Sequence, residues 1–174
     1  MELLGPWRAA PATEDLRRGF HIPGFDDEGW ESVTVPGHWA EYPEMADADE
    51  VLFRTRFNTP PDQRDDPGRW WLELDGLFYQ GDVYLDGEYL GDTEGYFTRH
   101  AFDVSEQVAR RAEHELAIEV HCRPGGAAKR TAILGVYDGG TDLWRGPNPG
   151  GIWAPVRLRW TGSVRIDSVK AICT

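Results

Sequence analysis

The sequence predicts an all-β, antiparallel sandwich. Three observations support this fold class: apolar and polar residues alternate along several short segments, turn-forming Gly, Pro and Asp separate these segments, and helical periodicity is scarce. At 174 residues the chain has the length of one domain with one hydrophobic core. Strands of this kind favour two antiparallel sheets packed face to face.

Four segments show the alternation most clearly. In each one the apolar residues occupy every second position, so a strand would turn one face to the core and the other to solvent. The segments are VLFRTRF at 51–57, RWWLELD at 69–75, HELAIEV at 114–120 and WAPVRLRW at 153–160.

Two local signals complete the element prediction. Asp86-Gly87 lies between two further short strands, and this dipeptide accepts the positive φ angles of a tight hairpin turn. A short helix is expected within residues 103 to 114, where Asp103 or Ser105 could cap the amino end.

Composition excludes several function classes. The net charge of −12 argues against partners that need a basic surface, so we expect neither nucleic-acid nor membrane binding. No signal peptide or membrane span is apparent, which predicts a cytoplasmic protein. Cys122 and Cys173 are too few for a disulfide framework; they are either two reduced thiols or one bridge.

No catalytic group, cofactor or metal site is predicted within the chain. Asp47, Asp49 and Glu50 are clustered, but they lie in a polar segment without the apolar setting that raises the pKa of a catalytic acid. The five histidines are scattered, without the i, i+4 spacing of a zinc site. A structural Ca²⁺ held by Asp-rich turns remains an alternative.

The segment TDLWRGPNPGGIW, residues 141 to 153, is the strongest candidate for ligand binding. It combines an aromatic ring for the apolar face of a sugar with charged and amide groups for its hydroxyls. The predicted substrate-binding residues are Asp142, Trp144, Arg145 and Asn148. The alternative is structural: Asp142 would cap a turn and Trp144 would plug one end of the sandwich.

Several motifs, in order, resemble the N-terminal sugar-binding domain of glycoside hydrolase family 2, the group of β-galactosidases, β-glucuronidases and β-mannosidases. The resemblance extends from about Trp30 to Trp160. Its motifs are WESVTVPGHW, VLFRTRF, VYLDGEYLGDTEGYF with AFDVSEQV, HELAIEV, and GGIWAPVRL. One departure is Ala154, where family members commonly carry Arg.

The resemblance implies a jelly-roll, galactose-binding-like domain at residues 1–162. Residues 163–174 would form a linker or the first strand of a following immunoglobulin-like domain, with a catalytic (β/α)8 barrel after it. The parent would be a retaining exo-β-glycosidase acting on a terminal β-glycoside, and its catalytic carboxylates would lie outside this chain. The resemblance also implies that Asp142 contacts sugar hydroxyls. The rival interpretation is a free-standing carbohydrate-binding module or lectin.

Overall fold

A computed structural model describes residues 1 to 60, 67 to 122, 149 to 166 and 169 to 172. These residues form two antiparallel sheets and little helix, which confirms the predicted all-β sandwich. The strands in the described ranges are β1 Trp7–Pro11, β2 Glu31–Val33, β3 Glu50–Asn58, β4 Arg69–Leu74, β5 Gln80–Leu85, β6 Glu88–Glu94, β7 His100–Asp103, β8 Glu113–His121 and β9 Val156–Thr161.

The helices are short. They are α1 Glu14–Arg17, a 3₁₀ turn at Trp39–Glu41, and α2 Ser105–Arg110. Thr13 caps α1, because its side-chain oxygen accepts a hydrogen bond from the amide of Leu16. Within the described ranges, none of these helices has the length and apolar character needed to cross a bilayer.

The two sheets enclose one core. The larger sheet has the strand order β2-β1-β3-β8-β5-β6, and the smaller has the order β7-β4-β9. Alternate residues of each strand face the other sheet, where they are shielded from water. From the larger sheet these include Trp7, Phe53, Val83, Leu116 and Ile118; from the smaller they include Trp70, Leu72, Leu74, Val156 and Leu158.

The four alternating segments correspond to β3, β4, β8 and β9, so those predictions are confirmed. The hairpin is confirmed too, because Asp86 and Gly87 have φ angles of 52° and 85° in the turn between β5 and β6. The helix prediction is correct but its cap differs. Val104 occupies the N-cap position, and the Asp103 carboxylate accepts hydrogen bonds from the amide and hydroxyl of Ser105.

The prediction that one face of each strand is exposed to solvent is wrong for β3 and β8. On the outer face of the larger sheet, Leu52, Arg54 and Ala117 are all buried. The connection between β1 and β2 crosses this face and packs Phe20 against Leu52 and Ala117. Periodicity within a strand cannot reveal such a cover, because the covering residues lie far away in sequence.

The described residues of the last segment, 163 to 166 and 169 to 172, are not in a strand of the sandwich, and their assignment as a linker or as the first strand of a following domain stays a prediction. The guanidinium of Arg165 stacks on the Trp71 ring at 4.1 Å and lies 3.8 Å from the Glu73 carboxylate. These contacts hold the start of the segment against the smaller sheet. Its apolar side chains remain exposed: Val164, Ile166, Val169 and Ile172.

Candidate functional site

The predicted substrate-binding residues, Asp142, Trp144, Arg145 and Asn148, lie outside the described residues. The structure does describe the two points at which residues 123 to 148 join the sandwich. These are Cys122, which follows β8, and Pro149. The geometry around these two attachments therefore defines the neighbourhood of the predicted site.

Both attachments bond to the segment between β2 and β3. The amide of Cys122 donates to the carbonyl of Asp49 at 2.8 Å. At the other attachment, His38 Nδ1 lies 2.7 Å from the carbonyl oxygen of Pro149. The amide of Trp39 donates to the carbonyl of Gly150 at 3.0 Å. The amides of the adjacent residues Phe78 and Tyr79 donate to the carbonyls of Gly151 and His121, at 2.9 and 2.8 Å, so both attachments lie at the same end of the sandwich.

The contact with Pro149 determines which ring nitrogen of His38 carries a proton. A carbonyl oxygen can only accept a hydrogen bond, so Nδ1 of His38 must carry the proton. In the neutral imidazole, Nε2 is then an acceptor. His38 therefore helps to hold the chain at Pro149 and adds a hydrogen-bonding group beside it.

Two glycines permit close packing where the chain returns from residue 148. A Cβ atom at Gly150 would overlap the indole of Trp39, and one at Gly151 would overlap the carbonyl oxygen of Gly37. Gly151 also has a φ angle of 146°, which side chains rarely tolerate. The Gly-Gly pair is therefore required by Trp39 and by the backbone at Gly37, and it fixes the direction of the chain after residue 148.

Aromatic side chains gather next to this attachment. We call Tyr79, Tyr96, Phe97 and Trp153 the aromatic cluster. The centroids of the Tyr79 and Tyr96 rings are 4.9 Å apart, and the Phe97 and Trp153 rings meet edge to face at 5.5 Å. Beneath them lies the buried ring of Phe78, 4.9 Å from that of Tyr96. The sequence prediction missed this cluster because its members come from three separate connections.

Both tyrosines of the cluster remain neutral at physiological pH. The Tyr79 hydroxyl donates to Glu94 Oε1 at 2.5 Å, and this bond, with burial and the nearby negative charge, raises the pKa of Tyr79. Burial raises the pKa of Tyr96 to about 12, and charge interactions with Tyr79 and Cys122 add to it. The hydroxyls therefore keep their protons and can serve as hydrogen-bond donors.

A second polar cluster lies on the outer face of the larger sheet. Oxygen atoms of Glu50 and Glu119 and a ring nitrogen of His121 lie within 4.8 Å of one another, close enough to hold a metal ion. The antiparallel register places Glu50 opposite His121, a pairing that a search for helical His spacing could not find.

Arg17 makes a metal ion at this cluster unnecessary. Its Nε lies 2.5 Å from Glu119 Oε1, and its Nη2 pairs with Glu50. The guanidinium already supplies the positive charge that two carboxylates require. We therefore assign the cluster of Glu50, Glu119 and His121 as an ion-pair network with Arg17.

The thiol of Cys122 is buried at the other attachment. Burial, together with the negative charge of Asp49, raises the pKa of this thiol to about 12. A thiol that keeps its proton at neutral pH is a poor nucleophile. Cys173 lies outside the described residues, so the alternative of a bridge between the two cysteines stays a prediction.

The protein-family comparison matches residues 40–142 to the glycosyl hydrolase 2 galactose-binding domain-like family. Among curated proteins, a β-galactosidase of Priestia megaterium is 26% identical over 145 residues, covering 68% of this chain and 14% of the relative. The chain therefore spans about a seventh of that protein's length.

Solved structures share the fold. A β-glucuronidase of Bacteroides uniformis superposes with a TM-score of 0.68 at 20% identity, covering 93% of this chain and 18% of that one. A β-glucuronidase of an uncultured Clostridium sp. gives a TM-score of 0.70 at 19% identity, covering 94% and 29%. With the family match over more than half of its length, the chain belongs to the galactose-binding-like domains of glycosyl hydrolase family 2.

Proposed function

We propose that this chain is the non-catalytic N-terminal domain of a retaining exo-β-glycosidase and that residues 123 to 148 complete one wall of its substrate pocket. A following catalytic barrel would supply the other walls and both catalytic carboxylates. The observation that carries the proposal is the convergence of both attachments, Cys122 and Pro149, at one end of the sandwich.

The attachments define the place at which, under this proposal, residues 123 to 148 would leave the sandwich. Trp39 packs on Gly150, and the backbone between β2 and β3 bonds to both ends of the segment. A segment held in this way at both ends can reach a neighbouring domain without disturbing the core. Asp142, Trp144, Arg145 and Asn148 would then face a pocket that another domain shares.

The parent protein would continue beyond residue 174 into an immunoglobulin-like domain. The exposed side chains of Val164, Ile166, Val169 and Ile172 support this proposal, because a row of apolar side chains is costly to leave in water. Arg165, stacked on Trp71, would set the direction in which the segment leaves the sandwich. Residues 1–162 would then be the domain proper and 163–174 the connection.

The test is Asp142→Ala in the full-length enzyme. We expect kcat/KM on an aryl β-glycoside to fall by about 10- to 100-fold, the cost of about 1.5–3 kcal/mol for one lost charged hydrogen bond to substrate. The melting temperature should stay unchanged. Asp15→Ala is the matched control, since Asp15 is an exposed aspartate on α1.

Measuring both kcat/KM and the melting temperature distinguishes a substrate contact by Asp142 from a structural role in a turn. Unchanged kinetics with an unchanged melting temperature would refute a role in the pocket. A large drop in melting temperature would instead support the structural role, in which Asp142 caps a turn.

A further inference from the structure

The outer face of the smaller sheet is rich in arginine, although the chain as a whole is acidic. The chain has 18 basic and 30 acidic residues. On this face, by contrast, the described cations outnumber the described carboxylates. The cations are Arg69, Arg99, Arg157, Arg159 and Arg165, and the carboxylates are Glu2, Glu73, Asp75 and Asp103.

The antiparallel register brings these groups to one face. The even-numbered residues of β4 and β9 face the core, so the odd-numbered ones point outward. Trp71 lies opposite Arg159, and Glu73 lies opposite Arg157. The arginines of β9 therefore stand beside an aromatic ring and a carboxylate of β4.

The carboxylates lie beneath the guanidinium groups. Glu73 is 2% exposed and lies 3.6 Å from Arg159 and 3.8 Å from Arg165. The carboxylate of Asp75 is 16% exposed and lies 2.8 Å from Arg99. Arg99 and Arg159 each remain more than half exposed. The layer that meets solvent is thus formed by guanidinium groups.

The connection after β9 begins on this same face. The indole Nε1 of Trp71 donates to Thr161 Oγ1 at 3.0 Å, at the end of β9. The guanidinium of Arg165 stacks on the Trp71 ring at 4.1 Å, so the chain turns back across the sheet after Thr161. The side chains of Val164 and Ile166, on either side of Arg165, are exposed beside it.

We propose that the outer face of the smaller sheet docks an acidic surface of the domain that follows residue 174 in the parent protein, with Arg99 and Arg159 as contact residues. The inference rests on the proposed function, which gives the chain a following domain. It adds the face that this domain covers and the charge that its surface carries. Guanidinium groups suit such a surface, because they bind carboxylates in planar pairs and are common at the centres of interfaces.

The size of the face favours a tethered domain over a separate protein. Its three strands are about 15 Å wide, and the six-residue strands β4 and β9 are about 20 Å long, which gives about 300 Å². Each partner of a stable complex covers about 800 Å², whereas the smaller interfaces between domains of one chain bury about 600 Å² in total. Residues 166 to 174 span at most about 30 Å, so they would hold the next domain at a high effective concentration.

Charge argues against a second copy of the chain on this face. Each copy carries a net charge of −12, so two copies repel one another at long range. The 174-residue chain should therefore sediment as a monomer at about 100 μM.

The experiment is limited proteolysis of the full-length enzyme with trypsin, which cleaves after Lys170. Lys170 is exposed in the described part of the chain, so the 174-residue chain gives the cleavage rate of an uncovered connection. A docked domain should make cleavage in the full-length enzyme about fivefold slower or more, because trypsin then reaches Lys170 only after undocking. About 0.5 M NaCl should remove most of this protection, since salt screens exposed charge pairs.

Variants assign the face. Arg99→Gln combined with Arg159→Gln should raise the cleavage rate of the full-length enzyme by about fivefold or more. The same pair of substitutions should change the melting temperature of the 174-residue chain by less than about 3 °C, because both side chains are exposed. Arg18→Gln combined with Arg110→Gln is the matched control, with two exposed, paired arginines on α1 and α2, and should leave cleavage unchanged.

Two results would overturn the docking face: equal cleavage rates in the Arg99/Arg159 variant and the Arg18/Arg110 control, or cleavage of the unaltered enzyme as fast as that of the 174-residue chain. A dimer of the 174-residue chain that the Arg99/Arg159 substitutions dissociate would overturn the assigned partner. Unchanged kinetics of Asp142→Ala would refute the pocket and leave the docking face standing, whereas a parent without a following domain would refute both.

Discussion

Trp39 lies against Gly150 so closely that the indole occupies the space where a side chain at residue 150 would begin. The amide of Trp39 also donates to the carbonyl of Gly150 at 3.0 Å. Trp39 is buried in the core, so this contact joins the return of the chain from residue 148 to the interior of the sandwich. It fixes the position of Gly150 on the sandwich.

Gly150→Ala should therefore destabilise the fold. The added methyl group cannot be accommodated unless Trp39 or the backbone moves, and overpacking of this kind costs about 1–3 kcal/mol. Urea denaturation of the chain measures the change. Gly29→Ala is the control, since nothing lies within 4 Å of a Cβ there. Equal stability of the two variants would show that the Trp39 contact is loose.

Arg54 should be the most sensitive charged residue of the larger sheet. It is 2% exposed, and its Nε donates to Asp27 Oδ2 at 2.9 Å. Its Nη2 donates to Glu115 at 2.5 Å. Arg54→Met would leave the buried Asp27 carboxylate with a single partner, Arg56, and should cost about 3–5 kcal/mol.

Arg18→Met is the matched control for Arg54. Its ion pairs with Glu14 and Asp15 lie on the exposed side of α1, where such pairs contribute little. We expect a change within about 0.5 kcal/mol in the same denaturation experiment. A loss at Arg54 no larger than that at Arg18 would contradict the assignment of a buried network.

The turn residue Asp86 should make stability depend on pH. Burial opposes its ionisation, but hydrogen bonds from His114 and the Glu115 amide and the nearby Arg111 outweigh burial and lower the pKa of Asp86 below 3.8. A carboxyl with a lowered pKa stabilises the fold fully above its unfolded-state pKa. That stability is lost as the pH falls through the folded-state pKa.

Asp86→Asn should therefore reduce the loss of melting temperature that acid causes below about pH 4. Asparagine tolerates positive φ, so the turn itself is retained. Thermal melts between about pH 2 and 7 measure the effect. If the melting temperature of the variant falls with decreasing pH as steeply as that of the unaltered chain, Asp86 does not cause the pH dependence of stability.

The chain alone should hydrolyse no aryl glycoside. Retaining hydrolysis requires two carboxylates about 5 Å apart that face the substrate, whereas Glu50 and Glu119 are both paired with Arg17. Product release is measured against an inactive control purified in the same way. Turnover above that control would place catalytic groups within this chain.

Local patterns predicted the strands well because the sandwich buries the inner face of each strand. Phe53 and Phe57 of β3, and Leu116 and Ile118 of β8, alternate with period two and face the core as expected. The positive φ at Asp86 and Gly87 was equally predictable, since few dipeptides accept that turn.

Contacts between distant segments were not predictable. The burial of Arg54 depends on Phe20 and Asp27 in a connection that no periodicity marks. The aromatic cluster unites Tyr79, Phe97 and Trp153, which are neighbours only after both sheets have formed. Clusters of this kind become visible only in three dimensions.

The most direct test is a crystal structure of the full-length enzyme with a terminal sugar bound in its pocket. If residues 123 to 148 complete the pocket, an oxygen of Asp142 will lie about 2.5–3.0 Å from a sugar hydroxyl oxygen. A sugar enclosed by the barrel alone, with Asp142 packed against its own sandwich, would contradict the proposed function.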